Sequence, residues 1–271
     1  MVLVLLSYAM AIDYVLATPC EPQRILGVER LVELHRTRIL ARAALTKMRE
    51  SGDARQPAEI SVQLTTRKPE GDSARGFTLQ DMLDESLPLD AHVAHCASCP
   101  AGFTREFGCH RRIRYPIPEH VEAWLMSRLP TQLGCTAGAL LVRGVSDFGW
   151  DGEPAARLRA TGTTFFESRA PYGVRWQAED ATIEISSDQL FQMMFLVGNL
   201  TPTHCMMLAL FCGVIPHDTP LAELADATDR TRVLATADIA AEADDDIEQL
   251  AAFLRTLVLA ARLDATITID G

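Results

Sequence analysis

The sequence has no run of about 20 apolar residues, the length a helix needs to cross a hydrocarbon core. Its two most apolar stretches, QMMFLVG at 192–198 and CMMLALFCGV at 205–214, are parted by Asn199, Thr201, Pro202 and His204. They read as buried core helices, and no membrane role is expected. The apolar opening MVLVLLSYAMAIDYVLATPC lacks the positive n-region of a signal peptide, Asp13 interrupts it, and Pro19 stands where cleavage before Cys20 would need a small residue. It reads as part of the fold, with the residues ahead of Met10 as an extension.

Excess positive charge is also missing. Lys and Arg total 25 against 36 Asp and Glu, and the net charge of -11 repels a phosphate backbone, so no nucleic-acid partner is expected. There is no glycine loop to cradle phosphates and no dinucleotide fingerprint, which removes support for nucleotide-dependent chemistry. Internal repeats and long linkers are lacking too. At 271 residues the chain can bury a core without covalent staples. Seven cysteines, an odd number without an export signal, argue against a disulfide framework and for the cytoplasm.

Three of those cysteines crowd into HCASCPAGFTREFGCHRR, His95 to Arg112. A Cys-x-x-Cys turn, here Cys96 and Cys99, folds the chain back so that two sulfurs face one point, as a tetrahedral ion or a cluster edge requires. Cys109 follows after a loop long enough to return. For a fourth ligand Cys20 is preferred, because a strand ending at Ala17 and a helix starting near Pro22 leave it on a tight turn at a helix N-terminus, where thiolate is favoured. His95 and His110 are the alternatives, each adjacent in sequence to a ligand already assigned. Zinc is the first expectation for Cys20, Cys96, Cys99 and Cys109. A 4Fe-4S cluster is the second, since a zinc ribbon usually has two Cys-x-x-Cys turns and Phe103, Phe107 and Tyr115 would shield a cluster. A thiol-rich loop without metal is the third. Cys135, Cys205 and Cys212 lie in or beside apolar segments and read as small buried hydrophobes.

Along the chain, residues 11–17 read as a strand and 19–51 as one long helix with a broad apolar face. Residues 58–68 alternate at Ile60, Val62 and Leu64 as a strand does, 68–76 read as a loop, and 77–86 as a short helix capped by Thr78. RIRYPI is strand-like, and PEHVEAWLMSRLP and Thr136 to Phe148 are helical. A short helix covers Ala155 to Leu158, and TFFES, YGVRW and ATIEIS supply β structure. Ser186 with Gln189 has capping-box spacing, and Thr201 with Pro202 opens the next helix. An acidic stretch from Asp218 leads into a helix ending near Leu263, and ATITID adds a final strand. The expected fold class is α+β and helix-rich: a small β-containing N-terminal lobe at 10–117 carrying the Cys-ligated metal loop, and a mainly helical C-terminal lobe at 118–271.

Other candidates have simpler explanations. Arg111, Arg112 and Arg114 suit an anion, but a solvated strand face explains them first. GVSDFG, from Gly144, misses the nucleophile-elbow pattern by one position and sits in helical context. His204 reads as a hydrogen-bonded core histidine, and His120 with Glu119 and Glu122 as helix surface. The functional expectation is a metal-binding protein of regulatory or partner-binding type. The alternative is a thiol or redox enzyme with Cys20 as nucleophile.

Overall fold

The computed structural model describes residues 4–6, 11–66, 73–101, 106–177 and 182–270. Helix takes 55% of the chain and strand 15%, so the α+β class holds with helix dominant. In chain order the elements begin with β1 (Val4–Leu6), β2 (Ala11–Ala17), α1 (Glu21–Leu26), α2 (Val28–Glu50), β3 (Ser61–Thr66), β4 (Ser73–Thr78) and α3 (Leu79–Glu85). A 3-10 turn at Leu87–His92 leads into the single turn of α4 (Val93–Cys96), and β5 (His110–Arg114) follows. Then come α5 (Glu119–Ser127), α6 (Thr136–Phe148), α7 (Glu153–Ala160), β6 (Gly173–Gln177), β7 (Thr182–Ser186), α8 (Ser187–Phe195) and α9 (Pro202–Phe211). The chain closes with α10 (Leu221–Ala225), α11 (Ala227–Thr236), α12 (Asp245–Leu263) and β8 (Thr266–Asp270). Among the described residues, no helix is long and apolar enough to cross a membrane.

The chain divides into two compact units. The first comprises Thr18–His110 together with β1; the second comprises β2 and the chain from Arg111 onward. In the first, β3 lies between β1, to which it is parallel, and β4, to which it is antiparallel. One apolar cluster joins Ala41, Ala44 and Met48 of α2 to Ile60, Val62, Leu79 and Met82. A second joins Leu31 and Leu34 of α2 to Leu89 and Phe107, with Val93 and Cys96 packed beside them.

Two details of this unit differ from the sequence reading. The segment expected as one helix breaks at Gly27, whose φ of 77° and ψ of 159° suit a residue without Cβ. The apolar spacing runs on through the break, which is why periodicity does not reveal it. Residues 73–76, expected in a loop, belong to β4; the remainder of that loop, 68–72, lies outside the described residues, as does Arg67 at the end of the expected strand. Thr78 caps α3 as expected, accepting the backbone N–H of Asp81 at 3.1 Å while Asp81 returns a carboxylate to the N–H of Thr78 at 2.8 Å.

In the second unit β2 is the central strand of a three-stranded sheet, ordered β5-β2-β8, and runs antiparallel to β8. Residues 12–16 of β2 are all buried, Asp13 included. Arg112 neutralises that carboxylate at 3.0 Å, and Arg114 pairs with Asp246 at 2.8 Å. Arg112 and Arg114 of β5 are thereby matched by acids of their own unit, as a structural strand face would be. TFFES supplies only an isolated bridge, Phe166 to Ile117, while β6 and β7 form a hairpin.

Local signals place the helices of this unit well. Ser186 and Gln189 form the capping box of α8, and Thr201 caps α9 with Pro202 in its first turn. Leu190, Met193 and Met194 of α8, Leu208 and Phe211 of α9, and Phe253, Leu254 and Leu257 of α12 are buried, so these helices form the core. Asp244 caps α12, accepting from the N–H groups of Asp246 and Ile247 at 3.0 Å each.

Candidate functional site: four cysteines around one pocket

All four candidate ligands lie in the first unit and line one small pocket, together with His95, Leu31, Phe107 and their neighbours. Each arrives by a different local device. Cys20 is the N-cap of α1, followed by Glu21 and Pro22 in the first turn, and its side chain makes no capping bond. Gln23, one turn on, accepts the N–H of Thr18 at 2.9 Å and so fixes the entry into the helix.

Cys96 ends α4, and the N–H of Cys99 returns to the Cys96 carbonyl at 3.2 Å, closing the Cys-x-x-Cys turn. What precedes that turn is anchored from α2. Arg38, buried to 4% exposure, donates from one nitrogen to the Ser86 carbonyl at 2.6 Å and to the Asp90 carboxylate at 2.7 Å. Cys109 sits in a second turn, closed by the N–H of His110 on the Phe107 carbonyl at 2.9 Å. Phe107 has a φ of 52°, rare for an aromatic residue, and donates its N–H to the Cys96 sulfur at 3.4 Å. Its ring is fully packed against Leu31, Leu34 and Leu89, an apolar anchor that holds the unusual backbone in place.

Two of the four, Cys96 and Cys109, are held toward the neutral thiol. Burial pushes Cys109 up to about 12; the nearby Cys20, Cys99 and Cys96 act in the same direction, against a hydrogen bond from Gln23. Cys96 is raised too, by burial first, with the Phe107 N–H opposing and Cys99 and Cys20 adding. Thiols are poor ligands; thiolates are good ones. In keeping with this, among the described residues no three His, Cys, Asp or Glu side chains converge as a metal ion requires. The four cysteines border one space without gathering into a ligand set. That space is about 10 Å³, the room of a single water-sized particle.

The remaining candidates separate from this site. His95 borders the pocket with an exposed side chain, whereas His110 is buried and its Nδ1 lies 3.0 Å from Nδ1 of His35. Cys135, Cys205 and Cys212 belong to the second unit and are buried. Cys135 caps α6, accepting the Gly138 N–H at 3.3 Å, a role that its apolar neighbours did not suggest. GVSDFG forms the end of α6 and no strand-turn-helix elbow. His204 lies in the first turn of α9 and stacks on Trp150 at 5.4 Å, with burial lowering its pKa.

One constellation was not legible in the sequence. Glu122, read there as helix surface, is fully buried, and Arg159 bonds it at 2.6 Å and Asp188 at 2.7 Å. The Ser187 hydroxyl donates to the same Glu122 oxygen at 2.8 Å, and the guanidinium lies 4.0 Å over the Phe166 ring. Both carboxylates are matched by the one guanidinium, so the cluster reads as a structural tie joining α5, α7 and α8.

Comparison of the chain with protein-family models, with curated proteins and with solved structures finds no match. The functional reading therefore rests on the residues themselves.

Proposed function

We propose that this is a metal-binding protein of regulatory or partner-binding type, in which Cys20, Cys96, Cys99 and Cys109 hold a zinc ion. One observation carries the reading: four cysteines from three separate stretches of sequence border a single pocket, while the other three are dispersed in another unit. Four thiolates around zinc form a closed tetrahedral set with no position left for substrate, which favours a structural or regulatory role over catalysis. Binding requires the thiols to lose protons and turn inward. The narrow space favours one ion over a 4Fe-4S cluster, which must seat several iron and sulfide ions among the same four sulfurs.

The second reading, a thiol or redox enzyme using Cys20, draws on that residue's place at the start of α1. It is weakened by the break at Gly27, because a helix of six residues offers a short dipole to stabilise thiolate. Metal analysis and a visible spectrum of protein purified with and without oxygen separate the readings. Stoichiometric colourless zinc supports the proposal, a brown preparation moves it to a cluster, and protein without metal in both overturns it. Fast alkylation of Cys20 in metal-loaded protein would favour the enzyme.

A further inference from the structure

The second unit contains a cavity of about 500 Å³ bordered by α9, α11 and α12, a size within the range of small-molecule sites. Two arginines, Arg230 of α11 and Arg262 of α12, line it. Neither makes an ion pair among the described residues, although this chain carries a net charge of -11 and Arg232, two positions from Arg230, pairs with Glu223 and Asp229. Arg230 is half-buried and Arg262 is exposed, so both are open to an incoming ligand.

The hydroxyl-bearing Thr203 and Thr231 border the same space, and Thr203 lies in the first turn of the ten-residue α9. The lining also includes apolar side chains, Leu234, only 2% exposed, and Met206. A lining that carries both donors and hydrocarbon suits a ligand with both a polar head and an apolar body. Asp264 is the acid present at the rim, and it makes no ion pair with either arginine among the described residues.

We infer that this cavity binds a small organic anion, a carboxylate or phosphate monoester carrying an apolar body, with Arg230 and Arg262 on the anionic head and Leu234 and Met206 against the chain. The inference is independent of the cysteine pocket, which lies in the other unit.

Calorimetric titration of the full chain with octanoate, octyl phosphate and octanol tests it. Saturable one-to-one binding of at least one anion is expected, at least tenfold tighter than octanol, and whichever anion binds more tightly identifies the head group. Arg230→Gln and Arg262→Gln should each weaken that binding by about tenfold, the worth of a charge-assisted hydrogen bond, with the unliganded melting temperature unchanged. Failure of both anions to bind at millimolar concentration overturns the inference. So does octanol binding as tightly as the anions, or anion affinity indifferent to both substitutions. If either glutamine variant melts early, Arg→Lys at the same position keeps the charge and should retain most of the affinity.

Discussion

The backbone N–H of Phe107 points at the sulfur of Cys96 across 3.4 Å, and the same residue's carbonyl accepts the N–H that closes the turn around Cys109. A single left-handed residue thus links two candidate ligands from opposite ends of the cysteine-rich stretch. An N–H aimed at sulfur stabilises thiolate over thiol, so the arrangement is prepared for the charged form even though burial opposes it.

Zinc uptake should therefore release protons. With Cys96 raised and Cys109 held at about 12, both thiols are protonated at neutral pH in the metal-free protein. Titration in weakly buffered indicator solution should show at least two protons released per zinc, and the apparent affinity should rise from roughly pH 6 to pH 8 as protons compete less with zinc for the sulfurs. Cys109→Ser should abolish stoichiometric uptake, and Cys135→Ser should leave it unchanged.

Gly27→Ala tests the geometry without touching a ligand. A Cβ at Gly27 meets no atom within 4 Å, so its cost is conformational, on the order of 1–3 kcal/mol for a φ of 77°. Relief of that strain would merge α1 with α2 and carry Cys20 away from the pocket. Expected outcomes are a lower urea midpoint and at least tenfold weaker zinc binding in competition with a chromophoric chelator. Gly52→Ala, with a φ of 81° beyond the end of α2, is the control: similar strain, undiminished zinc affinity.

Alkaline pH should destabilise the metal-free protein. Burial pushes Cys109, Cys205 and Cys212 each up to about 12. The unfolded chain ionises these thiols from about pH 8.5, so the stability they contribute is complete below that pH and falls as pH rises toward 12. Each thiol adds a slope of about 1.4 kcal/mol per pH unit within that window. Urea midpoints measured from pH 7 to pH 10.5 should decline, and Cys212→Ala should flatten the decline by one proton's worth.

Removing Arg159 should be severe. Arg159→Leu leaves Glu122 and Asp188 buried with no cation, at a cost of about 3–5 kcal/mol at neutral pH. Both orphaned carboxylates would then bind protons more readily folded than unfolded, so the variant's deficit should shrink on acidification toward pH 5. Denaturation at the two pH values measures it; a deficit that grows in acid would contradict the assignment.

Much of this architecture was readable because the relevant signals are local. The caps at Thr78, Ser186 and Thr201 mark helix starts within three residues, and α6 has the bounds read from its apolar run. The grouping of Cys96, Cys99 and Cys109 is a matter of turn length. Long-range partners left no such trace. Nothing near Glu122 indicates an arginine 37 positions away, and nothing in residues 11–17 indicates that their neighbour is β8. Gly27 was hidden for a different reason, since an apolar stripe can continue across a break in the backbone that forms it.

The pairing of β2 with β8 bears on how this protein is made. Tyr14 pairs with Ile269 and Leu16 with Ile267, so the central strand of the second unit is synthesised well before one of its flanking strands. The first unit, most of it emerging in between from Thr18 to His110, contains its own cysteine pocket, so on the proposed zinc reading the ion would be taken up while the second unit is still being translated. Until residues 266–270 leave the exit tunnel, β2 has an unfilled edge that a chaperone or a second nascent chain can occupy.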